Sequence, residues 1–367
     1  MHRQHLAIAV FALFVLPATA LSQAIELPTP EEYAERAERA ERAPLFQSHD
    51  VLKMTLRTDI KWLLDERSDS IEVEGTLTFI DLDGSEVVRP VDTRARGIFR
   101  RQKANCNFPP LRLDFPRSQM DGTVFEDQNQ LKLVTPCHDG RDQYQNYVFD
   151  EYLAYRLLNI FAPESFRVRL IEITYEDIEG EEDTLTKFGF LIESDEALAE
   201  RNRATHQEVS QFHPARSHAP YSALVAMFNY MIGNTDWSPV YFHNVELIRT
   251  EEGRYLTVPY DFDVTGIVNP RYASVDARVP INRVTQRIYR GFCREELTYE
   301  GATAPFRGKQ DEVQALYEGF AALGFEQFDA DDAKDTLKFL ENFWKVIDDP
   351  GEFEDEILDD CRSMVTG

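Results

Sequence analysis

The spacing of apolar residues changes character midway along the chain. From Val51 to Pro116 the pattern is that of strands, with Ser70 to Asp81 and Ser85 to Val91 flanking a hairpin signal at Asp81-Leu82-Asp83-Gly84. Gln130 to Val134 reads as a strand carrying one lysine, Lys132, among apolar neighbours, and Tyr147 to Phe161 as a helix. Phe166 to Tyr175 and Thr186 to Glu193 form a further strand pair across an acidic loop. Helical spacing then takes over. Pro220, Leu224, Val225, Phe228, Met231 and Ile232 mark a proline-led helix that Gly233-Asn234 stops. Two short strands, Asn244 to Arg249 and Tyr255 to Pro259, follow around a turn centred between Glu252 and Gly253. Arg283 to Phe292, Lys309 to Leu323, Ala333 to Asp348 and Phe353 to Val365 carry apolar stripes and are predicted helical. A β-rich front half and a helical back half predict an α+β protein of two lobes, 48–196 and 197–367, with Glu193 to Glu196 as the linker.

The ends and the composition narrow the picture. Residues 1–24 have a basic start, a short apolar run from Leu6 to Leu16 and small residues after it, the pattern of an export signal. No other apolar run is long enough to span a bilayer, so the mature chain is expected outside the cytoplasm, periplasmic or extracellular, with no membrane span after cleavage. Residues 25–47 are charge-rich with little apolar face and read as an exposed leader helix or a disordered segment. Net charge is −26, and −27 once Arg3 leaves with the signal, which argues against nucleic acid or an anionic membrane as partner. The four cysteines, Cys106, Cys137, Cys293 and Cys361, allow three pairings. Cys106–Cys137 with Cys293–Cys361 keeps each bond within one lobe.

Candidate chemistry gathers on the second strand pair. With the turn centred between Glu252 and Gly253, constant-sum pairing places Asn244 opposite Asp261, next to Asp236 on the preceding loop. Strand alternation puts Asp261 and Asp263 on one face, with Tyr260 and Phe262 on the other. Carboxylates that close repel unless a cation neutralises them, and an oxygen-only donor set suits Mg²⁺ or Mn²⁺. Glu151 shares a helix face with Val148, Ala154, Tyr155 and Leu158, so it needs a partner, and Lys132 one strand earlier is the obvious one. Arg94, Arg96, Arg100, Arg101 and Lys103 form a basic stretch that reads either as a phosphate contact or as a charged edge strand. His206, His213 and His218 read as ordinary loop histidines.

In order along the chain, LKLVTP, FDEYLAYRLLN, FGFLIES, FNYMIGNTDW, HNVELI and VPYDFD resemble the HipA-like and spore-coat CotH-like branches of the protein-kinase superfamily, over about residues 90–270. Asn234-Thr235-Asp236 and Pro259-Tyr260-Asp261 are the most specific pieces. The resemblance implies a two-lobed protein-kinase-like fold, with Lys132 as the phosphate-binding lysine and Glu151 as its partner. It implies Asp236 as the catalytic acid, with Asn244 and Asp261 as metal ligands and Asp263 as the second acid. It further implies an exported atypical kinase that passes phosphoryl from ATP to a hydroxyl, on a secreted or envelope protein, with Mg²⁺ or Mn²⁺. The chain departs from the pattern in lacking a glycine-rich loop before Lys132 and in the eight-residue step from Asp236 to Asn244. It also has Asp263 where a glycine is usual. The alternatives are an inactive kinase-shaped assembly protein of the cell envelope, or a glycosidase using Asp236 and Asp261 as acid and base.

Overall fold

Leu52, Met54 and Leu56 point to one side of the first strand and Lys53 and Arg57 to the other, as side chains must on a pleated backbone. The same alternation recurs in β1 (Leu52–Thr58), β2 (Val73–Ile80), β3 (Glu86–Ala95), β4 (Leu111–Asp114), β5 (Gln130–Val134), β6 (Val168–Asp177) and β7 (Leu185–Ile192). The computed structural model describes residues 27–295 and 297–364, so the expected signal at 1–24 lies outside the described residues. These strands form a closed barrel in the order β1-β2-β3-β4-β5-β7-β6. Parallel pairing of β1 with β6 closes it, from Leu52 opposite Ile171 to Thr58 opposite Asp177.

That closure overturns the expected two-lobed protein-kinase-like fold with an open N-lobe sheet. Joining the two outermost strands satisfies both edges of the sheet and gives it an interior. Leu56, Leu77, Leu113, Leu131, Leu133, Ile171, Ile173 and Leu191 fill that interior and are fully buried.

A second core lies outside the barrel. Val134, Val168, Leu170, Phe190 and Ile192 belong to it, together with most of the buried residues of the helices. In chain order the helices are α1 (Pro30–Arg42), α2 (Ile60–Glu66), α3 (Asp142–Phe161), α4 (Asp195–Arg201), α5 (Ala219–Ile232), α6 (Tyr299–Thr303), α7 (Gln310–Ala321), α8 (Ala330–Asp348) and α9 (Pro350–Phe353). Helix α3 is buried on nearly every side, which carries Asp150 and Glu151 into the interior. A three-stranded sheet, β10-β9-β8, completes the fold with β8 (Ala204–His206), β9 (Val245–Thr250) and β10 (Tyr255–Pro259). Gly233 ends α5 at φ 68°, and a Cβ there would come within 3.1 Å of Gly266 Cα and Val284 O.

Several expectations change in the tertiary context. Helix α1 is capped by Thr29 and Glu32 in a capping box and packs on α4 with Tyr33 and Ala40 buried, so it is an integral element. Glu193 is fully buried between Arg167 and Arg201, at 2.9 and 3.0 Å, and Ser194 caps α4; this is structural framework, not a linker open to a ligand. Residues 283–292 are irregular rather than helical, because Arg287 is drawn to the carbonyl of Met231 at 2.9 Å and stacks on Phe339. The last expected helix is cut to α9 and one π turn, Glu354–Leu358. Both disulfides have the pairing preferred from sequence, Cys106–Cys137 and Cys293–Cys361, and oxidised pairs fit a secreted chain. Among the described residues no helix is long and apolar enough to cross a membrane.

Candidate functional site

Strand β3 ends, β4 begins, and β5 and β7 end at the same end of the barrel. Against that end lies a cleft of ≈ 730 Å³, bounded by the loop after β3, by α3, by residues 236–244 and by the chain that leaves β10. Glu151, Asp236, Asn244, Asp261 and Asp263 all line it, with Arg96 and Arg100. Lys132 is the one sequence-predicted site residue that does not.

The hairpin register is one residue from the expected one. Thr250 N donates to Arg254 O and Gly253 sits at φ 82°, a three-residue loop centred on Glu252. Val245 therefore pairs with Pro259, and Tyr260 N donates to Asn244 O, so Asn244 faces Tyr260 and not Asp261. The expected strand alternation beyond Pro259 is absent as well, since β10 stops there. Asn244 and Asp261 still reach the same cleft because both leave the extended conformation, at φ 53° and 61°. Asparagine and aspartate tolerate the left-handed region better than other side chains, and such residues cluster at functional sites. Asp261 N donates to the buried Tyr155 hydroxyl at 2.8 Å, which fixes the turn against α3.

Asp236 is held from three directions. Its backbone N–H donates to Asn234 Oδ1 at 2.9 Å, and Asn234 is itself buried and donates to Asn229. His243 Nε2 meets Asp236 Oδ1 at 2.8 Å, and Asn244 Nδ2 reaches Oδ2 at 3.2 Å and the backbone carbonyl at 2.8 Å. The hydrogen bond to Asp236 raises the His243 pKa against the opposing effect of burial.

Deeper in the cleft, Glu151 is 2 % exposed and its nearest cation is Arg100 Nη1, 3.9 Å from Oε2. The same Nη1 is 4.0 Å from Asp263 Oδ2, which also accepts from the Tyr272 hydroxyl at 3.1 Å. Burial, then Asp263 and Asp261, push the Glu151 carboxyl well above the usual range, against Arg100 and Arg96. Burial and then Asp261 push Asp263 up to about 7. Burial works against the charge of Arg100, but Tyr272, Asp263, Glu151 and Asp261 together outweigh it. Its Nη2 donates to Thr135 O, while its Nε is buried without a partner.

The expected Lys132–Glu151 pair is not formed. Strand β5 turns Leu131 and Leu133 into the barrel, leaving Lys132 outside, where Nζ lies 2.7 Å from Asp195 Oδ1 and 3.9 Å from Glu246 Oε1. The ammonium also sits 4.6 Å from the centre of the Tyr260 ring. Arg100, from the basic stretch, stands at Glu151 instead. The stretch is no charged edge strand: β3 ends at Ala95 and is paired on both sides. An arginine 51 residues before Glu151 cannot be matched to it by local spacing, although the concentration of basic residues was a signal. His243 and Tyr272 gave no signal in the sequence, and Tyr155 stood out only as a neighbour of Glu151 on its helix face.

The donor set suits a hard cation. Among the described residues no three of His, Cys, Asp and Glu form a ready-made metal cage. Mg²⁺ commonly takes one or two carboxylates and completes its shell with water and ligand phosphates, so Asp261 and Asp263 with the Asn244 amide are compatible with it. Two acidic groups whose neighbourhood resists their ionisation are also what an added cation would relieve. Comparison of the chain with family models, with curated proteins and with solved structures returned no match.

Proposed function

We propose that the cleft takes a nucleoside triphosphate with a divalent cation, and that this exported protein is an atypical kinase passing phosphoryl from ATP to a hydroxyl acceptor on a secreted or envelope protein. The observation that carries the reading is the meeting of Asp236, Asn244, Asp261 and Asp263 with Arg100 in one cleft. The likeness to HipA-like and CotH-like kinases is one of local motifs and supports the chemistry alone.

Asn244, Asp261 and Asp263 are the residues that would hold Mg²⁺ or Mn²⁺, which supplies positive charge against the phosphates. Arg100 adds fixed positive charge beside them, buried and oriented by Thr135. Asp236 orients the acceptor hydroxyl and takes its proton, exchanging its bond to His243 or Asn244 for one to the substrate. Lys132 has no part in phosphate binding in this scheme. Purified protein given γ-labelled ATP and Mn²⁺ is expected to label itself or a generic acceptor, and Asp261→Asn to abolish that. Full activity in Asp261→Asn would refute its metal role.

One observation favours a second reading, a nucleotide-free binding or assembly protein: the only lysine of β5 is committed to Asp195 and Glu246. A thermal shift with ATP and Mn²⁺ separates the two, since a scaffold without a nucleotide site is not stabilised.

A further inference from the structure

One member of the basic stretch around the end of β3 is uncommitted. Arg94 Nε lies 3.2 Å from Glu72 Oε1, Arg101 Nη2 2.7 Å from Asp69 Oδ2 and Lys103 Nζ 3.1 Å from Asp65 Oδ1, while Arg100 stands between Glu151 and Asp263. The Arg96 guanidinium makes no hydrogen bond or ion pair with any of the described residues. Its backbone is fixed all the same. Val91, Thr93 and Ala95 are buried along β3 and Asp92 and Arg94 are not, and Arg96 N continues the ladder by donating to Pro110 O at 2.9 Å. The pleat therefore turns Arg96 away from the barrel interior, and its side chain lines the cleft.

Two features suit this side chain to an anionic ligand. The cleft presents the carboxyl groups of Glu151, Asp236, Asp261, Asp263 and Asp276 against the guanidiniums of Arg96 and Arg100. Arg100 already answers Glu151 and Asp263 and donates to Thr135 O, so Arg96 is the cleft guanidinium left to meet a charge from outside. The turn that Arg96 begins also faces the ligand space. Ile98 and Phe99 line the cleft yet are 85 and 47 % exposed, apolar surface that an occupant would cover. Arg101 Nε steadies this turn by donating to Gly97 O at 3.0 Å. A planar guanidinium fork binds phosphate oxygens two N–H groups at a time, which gives the free arginine a preferred class of partner.

We infer that Arg96 is the polyphosphate-binding residue of this cleft, in the place that the resemblance gives to Lys132. On the phosphotransfer reading, on which this part rests, the polyphosphate is that of ATP. The two cleft arginines then have separate tasks. Arg100 stays with Glu151 and Asp263 as their counter-charge, and Arg96 closes on the phosphate oxygens. Lys132 could not do this without giving up Asp195 and Glu246. Since Arg96 holds no side-chain contact to lose, its replacement takes nothing from stability, whereas replacing Arg100 strands two buried acids.

The test is titration calorimetry with Mg-ATP, with magnesium tripolyphosphate as the arm without a base and adenosine as the arm without phosphate. The wild-type protein is expected to bind ATP and tripolyphosphate. Arg96→Gln is expected to weaken both about tenfold or more, to leave adenosine binding unchanged and to melt with the wild type, with Arg96→Lys intermediate because a point charge replaces the fork. Weakening of adenosine in step with ATP would show that Arg96 shapes the cleft and does not grip phosphate, which overturns the assignment. Equal ATP binding by the wild type and Arg96→Gln overturns it as well and leaves the kinase reading standing. Arg96-dependent binding of tripolyphosphate without binding of ATP keeps the assignment and removes the kinase reading. Binding of neither removes both.

Discussion

Lys132 Nζ lies 2.7 Å from Asp195 Oδ1, so the lysine of β5 is tied to the start of α4 and not to Glu151. Its side chain is 17 % exposed and that of Asp195 30 %, so the pair is only partly screened. Lys132→Ala is expected to cost about 1 kcal/mol in urea denaturation and to leave Mg-ATP binding within about twofold. Arg100→Gln is expected to remove nucleotide binding. The reverse ranking of the two variants in a calorimetric titration would return the phosphate role to Lys132.

The pH dependence follows from Asp263. Its pKa rises from 3.8 to about 7, chiefly through burial and Asp261. Between those values the folded protein holds a proton that the unfolded chain has released, so stability falls as pH rises through this window. Glu151, shifted upward as well, slopes the same way, as does the raised pKa of His243. Comparison with Asp263→Asn isolates the one carboxyl. That variant is expected to melt higher than the wild type at pH 7.5 and to show a flatter profile between pH 4 and 7 (about these limits). Identical profiles would remove Asp263 as the source.

Asn244 joins a left-handed backbone to an amide that holds Asp236. Asn244→Gly keeps the left-handed φ at no steric cost and removes both hydrogen bonds to Asp236. Its stability is expected to stay within about 1 kcal/mol of the wild type, while Asn244→Val loses about 1–2 kcal/mol more from backbone strain. Phosphoryl transfer, measured on the folded Asn244→Gly protein, is expected to drop sharply.

Each disulfide has its own local task. Cys106–Cys137 spans 31 residues and fastens the turn carrying Arg100 to the chain after β5, where Asn107 N donates to Cys137 O at 3.0 Å. Serine at both positions is expected to cost about 3 kcal/mol and to weaken nucleotide binding well below the melting temperature. The matching change at Cys293 and Cys361 should spare nucleotide binding, since that bond holds residues 291–293 beside 361–362 and not the turn that carries Arg100. Equal loss of nucleotide binding in both variants would show general destabilisation instead.

Glu193 holds Arg167 and Arg201 in a fully buried cluster. Glu193→Gln leaves two arginines short of their counter-charge and is expected to cost about 3–5 kcal/mol in denaturant melts. A change below about 1 kcal/mol would mean that water reaches the pair.

Local signals carried much of the secondary structure. Apolar spacing and turn signals located β2, β5, β6 and β7, the proline-led start and Gly233 stop bounded α5, and the acids at 236, 261 and 263 stood out before their geometry was known. The barrel was not legible, because its closure depends on β1 meeting β6 across more than 100 residues. The irregular 283–292 segment was missed for a related reason: its apolar spacing favours a helix, but Arg287 and the Cys293–Cys361 bond hold it in another conformation.

By itself, the sequence determined which residues bear charge, where the chain turns, and that three acids and an asparagine recur around one hairpin, since these are properties of neighbours along the chain. The tertiary structure alone decided which cation answers Glu151, how Asn244 and Asp261 come to share a cleft despite a shifted register, and that residues 361–362 lie alongside 291–293. Each of those depends on contacts between distant segments, and a one-residue shift of pairing or one closed sheet edge redirects every side chain beyond it.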